Sequence, residues 1–263
     1  MYSKISVVSL DKFPIIKNGD ELGAIILNCI NENKLELKNG DILCIAQKIV
    51  SKAEGCIYSL NDIKPSQKAL KISDKLNKDP RKVEIILRES KNIIRIFKHK
   101  NQNEGVIICE HKLGFISANA AVDESNTGEI DTIITLPKNP DLSASKIGDY
   151  IYQKLNVSVG VVITDTFGRP WRLGQVNVAI GLSKVPATID EKGKSDISGR
   201  RLKVTEPAFA DEVAAASGLV IKKNSNTPVV IISGLNWRQE NSKSYDLLRK
   251  VEDAQNTGNK SVI

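Results

Sequence analysis

Residues 160–181 read GVVITDTFGRPWRLGQVNVAIG, and the fold turns on how that stretch is read. The run 159–163 is short, apolar and β-branched, which predicts a buried strand. It leads straight into Thr164, Asp165 and Thr166, then Gly168, Arg169, Pro170, Trp171 and Arg172. The reading is a strand end followed by a Gly-Pro turn that carries two arginines. A carboxylate and two hydroxyls placed before such a turn suit a metal-bound phosphate. Asp165 offers hard oxygen donors, and Arg169 or Arg172 can fork onto phosphate or carboxylate oxygens. The plainer alternative is a loop whose arginine pairs with Asp165 for structure alone.

On either side of this stretch, strands alternate with helices. Residues 5–10, 41–46, 92–98, 105–109, 132–136 and 228–233 read as strands. Asp20 is placed to cap a helix over 21–31, whose apolar residues recur at helical spacing. Helices are expected over 66–76 and 80–89. A further helix starting at Asp141 or Ser143 runs to Leu155 and feeds the strand at 159, giving a strand–loop–helix–strand unit. The last helix is expected to begin at Thr205 or Glu206 and continue through 211–220. A short charged helix and a mobile Gly- and Asn-containing end follow Asn236. The chain is thus α+β, with mixed sheets and flanking helices.

Two more stretches carry chemistry. After the strand at 41–46 come Gln47, Lys48, Ser51 and Lys52. If that segment is helical, Lys48 and Lys52 share a face and can present two cations to a phosphate chain; the alternative is a solvated lysine pair. Further on, small residues at 114–122 lead to Asp123, Glu124, Ser125 and Asn126. Asp123 and Glu124 are oxygen ligands of the kind magnesium or manganese takes, and Asn126 can hydrogen-bond a base, ribose or phosphate. Asp and Asn also make caps and Asx turns, which is their commonest use.

Composition narrows the classes. A chain of 263 residues with 41% hydrophobic residues has room for a substantial core. The net charge of +7 comes from dispersed lysines and aromatics are few, so a diffuse field for anionic small substrates fits better than a nucleic-acid platform. Cys29, Cys44, Cys56 and Cys109 form no C-x-x-C pair, and a reducing cytoplasm is expected. Neither a signal peptide nor a membrane span is expected. With only His99 and His111, a histidine zinc site has no support. Gly193-Lys194-Ser195 matches the end of a P-loop, but Thr188 stands where that motif needs glycine.

Three blocks, GDILCIAQKIVSKAEG, SANAAVDESN and TDTFGRPWRLGQVNVAIG, together resemble the coenzyme F420-0:gamma-glutamyl ligase family, in matching order over roughly 5–235. The resemblance implies a cytoplasmic GTP-dependent ligase that joins L-glutamate to F420-0 and then adds gamma-linked glutamates. It implies a homodimer, magnesium or manganese (two divalent ions), potassium, and a family-specific fold that is neither P-loop nor ATP-grasp. It assigns Asp123, Asp165 and Thr166 to metal, and Phe13, Pro14, Ile15, Ile16, Gln47, Lys48, Lys52 and Asn126 to the nucleotide. Asp165, Arg169 and Arg172 are the catalytic candidates, the arginines by charge alone. Residues 1–245 form the catalytic region, with room for two intertwined subdomains, and 246–263 a tail. The chain departs from the family pattern at Leu113, Leu173, Asn177 and 222–226. Other readings are an amide ligase for another carboxylate, or a basic nucleotide- or RNA-binding protein without ligase activity.

Overall fold

The computed structural model describes residues 4–125, 127–128, 130–221 and 226–249. In chain order the elements are β1 (Ser6–Ser9), α1 (Leu22–Glu32), β2 (Ile42–Ala46), α2 (Gln47–Ala53), β3 (Ile57–Ser59), α3 (Gln67–Leu76), α4 (Pro80–Glu89), β4 (Ser90–Phe97), β5 (Val106–His111), β6 (Ile116–Ala118), β7 (Thr132–Ile134), α5 (Pro140–Leu155), β8 (Gly160–Arg169), β9 (Arg172–Ser183), α6 (Phe209–Ser217) and β10 (Val229–Ser233). The architecture is α+β with mixed sheets, as the alternation of patterns predicts.

The main sheet has the order β1-β10-β2-β8-β9. Only β2 and β8 run parallel, with Ala46 opposite Thr164. The central strands read as unbroken apolar runs because both of their faces are covered. Leu43, Ile45, Val161 and Ile163 pack with α1 and α5, through Ile26, Ile30, Ile147 and Ile151. Ile42, Cys44 and Val162 point the other way, onto Val213 and Ala214 of α6. A third cluster lies elsewhere: Ile72, Leu76, Val83 and Ile86 of α3 and α4 cover Ile107 and Cys109 of β5. β5 is the middle strand of the sheet β4-β5-β6.

Several boundaries differ from the sequence reading. β8 does not stop at Ile163. It runs on through Asp165 to Arg169 because β9 pairs with it residue by residue, Asp165 opposite Val178 and Phe167 opposite Val176. Glu21, not Asp20, caps α1, its carboxylate accepting from the Gly23 N–H. Asp20 instead accepts from the Lys17 N–H. α5 begins earlier than expected, with Asn139 as the cap and Pro140 in the first turn, where proline's missing N–H costs nothing. α6 begins at Phe209, after Pro207, which disfavours helix at Glu206. β7 pairs with β3 in a separate ribbon and not with β8, so the expected unit does not close within one sheet. A 3-10 turn at Ser244–Leu247 stands where the short charged helix was expected, and the chain end from 250 on lies outside the described residues.

β9 is the last strand of its sheet, and side chains from two helices satisfy part of its edge. The Leu182 N–H donates to Asp141 of α5 at 2.7 Å, and the Ala179 N–H to Asp211 of α6 at 2.8 Å. This draws α5 so close that a Cβ on Gly181 would meet Pro140 at 2.5 Å, with that residue's backbone carbonyl at 2.6–2.7 Å. Gly181→Ala therefore pushes the first turn of α5 off the strand. The expected cost is about 1–3 kcal/mol, read as a lower midpoint in a urea melt with unchanged slope. An unchanged midpoint would mean that α5 can ride outward freely.

Candidate active site

Parallel strands leave their carboxyl ends side by side, and ligand sites of open sheets form there. At the end of β2 the chain turns into α2, which presents Gln47, Lys48 and Lys52; at the end of the apolar run of β8 stands Asp165. A third segment, 119–125, arrives from β6. It passes through three consecutive residues in the left-handed region, Asn119, Ala120 and Ala121, at φ 50–55°. None is glycine, so each costs about 1–2 kcal/mol. Such strain is characteristic of segments held for function, and this one delivers Asp123.

Lys48 joins the pieces. Its Nζ lies 2.7 Å from Asp123 Oδ2 and donates to the Ser125 carbonyl at 3.2 Å and to the Ser125 hydroxyl. Asp123 also accepts from the Ser125 N–H at 2.8 Å and its hydroxyl at 2.9 Å. Behind it, Glu124 pairs at 2.7 Å with Lys82, a nearly buried lysine on α4. Burial alone would raise Asp123, but the Lys48 hydrogen bond and charge and the Ser125 donors outweigh it, holding the carboxyl below its ordinary range.

Asp165 is the opposite case. Burial pushes it up to about 6, the Asp123 charge adds to this, and the Thr166 N–H, Lys48 and the Gln47 amide oppose it. Gln47 is itself buried and oriented by a 2.8 Å hydrogen bond from Ser51. Lys52, one turn along α2, is lowered by burial and then by Lys48. Two carboxylates that feel each other's charge, one of them uncomfortable without a counter-ion, fit a hard divalent cation. Among the described residues there is no set of three or more His, Cys, Asp or Glu able to hold a metal. A cation here would complete its shell with water or phosphate oxygens, as magnesium commonly does.

Lys48, Asp123 and Asp165 form the inner end of a cleft of about 770 Å³, bounded on its other sides by the hairpin tip of β8 and β9 and by the β4-β5-β6 sheet. Asp123, Asp165, Lys48, Thr166 and Arg169 all line it. The Thr166 hydroxyl donates to Asn177 at 3.0 Å, and Arg169 donates to the Leu173 carbonyl at 3.2 Å. Arg172 is exposed on β9, outside the lining. Phe13 and Ile16 are buried in the main core, Pro14 and Ile15 are exposed, and none of the four lines the cleft. Asn126 lies outside the described residues, as do 222–225 of the departing stretch; Asn226 donates to the Phe13 carbonyl at 2.5 Å. His111, pushed down to about 4 by burial, Lys112 and Lys91, lies away from the cleft.

The assembled site draws on the same three blocks that carry the sequence resemblance. The model of the F420-0:gamma-glutamyl ligase family matches residues 11–234. The chain belongs to that family. Among relatives of the F420-0:gamma-glutamyl ligases, it is 43% identical to the coenzyme F420:L-glutamate ligase of Methanothermobacter thermautotrophicus, over 89% of this chain and 90% of the relative. It is 41% identical to the protein of that name in Methanocaldococcus jannaschii, over 95% and 96%. Within the family blocks, the sequence reading passed over Ser125, whose place beside Asp123 in VDES was a usable signal. It also passed over Lys82, which no local pattern could mark, because its partner Glu124 is 42 residues away.

Proposed function

We propose that the chain is a GTP-dependent ligase that joins L-glutamate to coenzyme F420-0 and then extends the product through gamma linkages. The observation that carries this reading is the Asp123–Lys48–Asp165 constellation at the carboxyl ends of β2 and β8. The names of the relatives supply the substrates.

A carboxylate resists attack by an amine because its leaving group would be oxide. The acceptor carboxylate oxygen therefore takes the γ-phosphoryl group, forming a bond to phosphorus as the bond to the β-phosphate oxygen breaks. The glutamate amine then attacks the acyl carbon, phosphate departs, and the amine loses a proton. Positioning and charge neutralisation are the protein's tasks in such chemistry. Lys48, held between Asp123 and Ser125, is placed to share its charge with phosphate oxygens, and Gln47 keeps Asp165 turned into the cleft. Arg169 adds a cation nearer the mouth. Asp123 and Asp165 would hold magnesium or manganese, which when bound neutralises phosphate charge. The Thr166 hydroxyl would join them through an oxygen lone pair while still donating to Asn177.

Two divalent ions, potassium, a homodimer and a cytoplasmic setting complete the proposal. All four cysteines are free and buried, in keeping with a reducing compartment, and among the described residues no helix is long and apolar enough to cross a membrane. The test is mass spectrometry on the purified chain with F420-0, L-glutamate, GTP and manganese, each omitted in turn. The expected result is addition of one or more glutamyl units only in the complete mixture. Absence of product there, with GTP still bound, would move the reading to another carboxylate acceptor.

A further inference from the structure

We propose that the outer half of the cleft is a subsite for a flat aromatic group bearing negative charge, held between Trp171 and the open face of the β4-β5-β6 sheet. Its identification with the acceptor rests on the ligase reading above.

The registers define that face. Arg95 stands opposite Ile108, Phe97 opposite Val106, and Ile108 opposite Ala118. Directly opposed residues share a face, so Arg95, Phe97, Ile108 and Ala118 all look one way. Ile107 and Cys109 look the other way, under α3 and α4. The first set lines the cleft. A sheet packed on one side only would ordinarily turn polar residues outward. Here Asn92 and Glu110 do so and bond each other outside the lining. The part of the face that lines the cleft is apolar at Phe97, Ile108, Ile116 and Ala118, with one guanidinium set 5.3 Å from the centre of the Phe97 ring.

The opposing wall carries Phe167 and Trp171. Trp171 follows Pro170 at the hairpin tip, where such turns take glycine. Its φ is 55° and it is 81% exposed. A bulky side chain in the left-handed region costs about 1–2 kcal/mol, and here almost no burial offsets that. A ring stacked on the indole would supply the missing contact. Aromatic surfaces on two walls, with an arginine beside the Phe97 ring on one of them, favour a flat anion over an aliphatic chain.

The inner end of the same cleft is polar, at Lys48, Asp123 and Asp165. A molecule lying along the cleft would thus place its ring outside and its reacting carboxylate inside. Of the residues assigned to the nucleotide, Lys48 alone among those described lines the cleft, so the outer half is left to the acceptor.

The test uses tryptophan emission, since the chain has two tryptophans. Trp237 donates to the Gly40 carbonyl and packs beside Phe209, away from the cleft. F420-0 should quench the wild-type protein, and Trp171→Phe should abolish the quench. Trp171→Ala and Arg95→Ala should each raise KM for F420-0 about tenfold, as expected for loss of about 1.4 kcal/mol, with KM for glutamate and GTP little changed. Leu173→Ala, at the same tip but outside the lining, should match wild type. Unchanged F420-0 affinity in both alanine variants would overturn the subsite. If the wild-type protein neither binds nor extends F420-0, the ligase reading fails separately. The subsite is then judged with 8-anilinonaphthalene-1-sulfonate, a ring bearing one anion. Binding of that probe lost in both variants upholds the subsite, and binding that survives both overturns it.

Discussion

Asparagine at position 165 should abolish glutamyl transfer and, above pH 6, make the protein more stable. The two effects share one cause. Asp165 is held by the fold at about 6 instead of the ordinary 3.8, first by burial and then by the Asp123 charge. Between those values the folded chain binds more protons than the unfolded one, so stability falls as pH rises from about 4 to about 6 and stays lower beyond. The gap corresponds to about 3 kcal/mol at most, less where water in the cleft screens the charge. Asparagine keeps the shape and an oxygen for the Thr166 N–H but never ionises. The melting temperature of Asp165→Asn should equal that of wild type near pH 4 and exceed it at pH 8. Magnesium or manganese should raise the wild-type value at pH 8 and leave the variant unmoved. Turnover should fall about a thousandfold or more, the scale of losing a principal electrostatic group. A variant less stable than wild type at every pH would show that Asp165 is a structural acceptor for its neighbours.

That divided behaviour of Asp165 also marks where the sequence was legible and where it was not. The central strands could be read directly: ILCIA, GVVIT and VVIIS are continuous apolar runs, because helices cover both faces. α4 could be read from Pro80 behind the Asp79 cap. The outer half of the β8–β9 hairpin was hidden. TDTFGR loses the apolar signal and looks like a loop, and only the partner strand keeps it extended. β6 was hidden for a related reason, being three residues long with a face that opens on a cleft. Site residues fared by their distance in sequence. Lys48 and Lys52 could be paired by helical spacing, and α2 is helical as that reading required. The meeting of Lys48 with Ser125, 77 residues away, follows from no local pattern. The family resemblance named both regions, and only the tertiary packing brings them together, through the contacts of Lys48 with Asp123 and Ser125. Lys82 looks like a surface lysine in any helical pattern, and it is nearly buried because Glu124 comes to it.

Replacing Lys48 by methionine should separate cation affinity from catalysis. The substitution keeps the stem and removes the ammonium. Asp123 then loses the group that does most to offset its burial, and Asp165 loses a charge that opposes its rise. Both carboxyls move up, and two like charges in one cleft favour sharing a proton. The sign of the stability effect follows. Asp123, held low in the wild-type protein, contributes stability above its ordinary 3.8 that is lost as pH falls through its lower folded value. In Lys48→Met that contribution disappears and stability declines as pH rises instead. The loss at pH 8 should be modest, about 1 kcal/mol, because 40% of the Asp123 side chain is open to water. Lys48→Met combined with Asp165→Asn should more than recover it, since the more strongly penalised carboxylate is then gone and a single one remains. The cation responds in the other direction. With the ammonium gone, Asp123 is unneutralised and manganese should bind more tightly at pH 8, measured by calorimetry. If Lys48 were a structural partner of Asp123 and nothing more, a tightly bound cation would replace it and turnover would recover in excess manganese. A lysine that serves the phosphates cannot be replaced from that side of the cleft. Turnover should stay down about a hundredfold or more while the cation site is full.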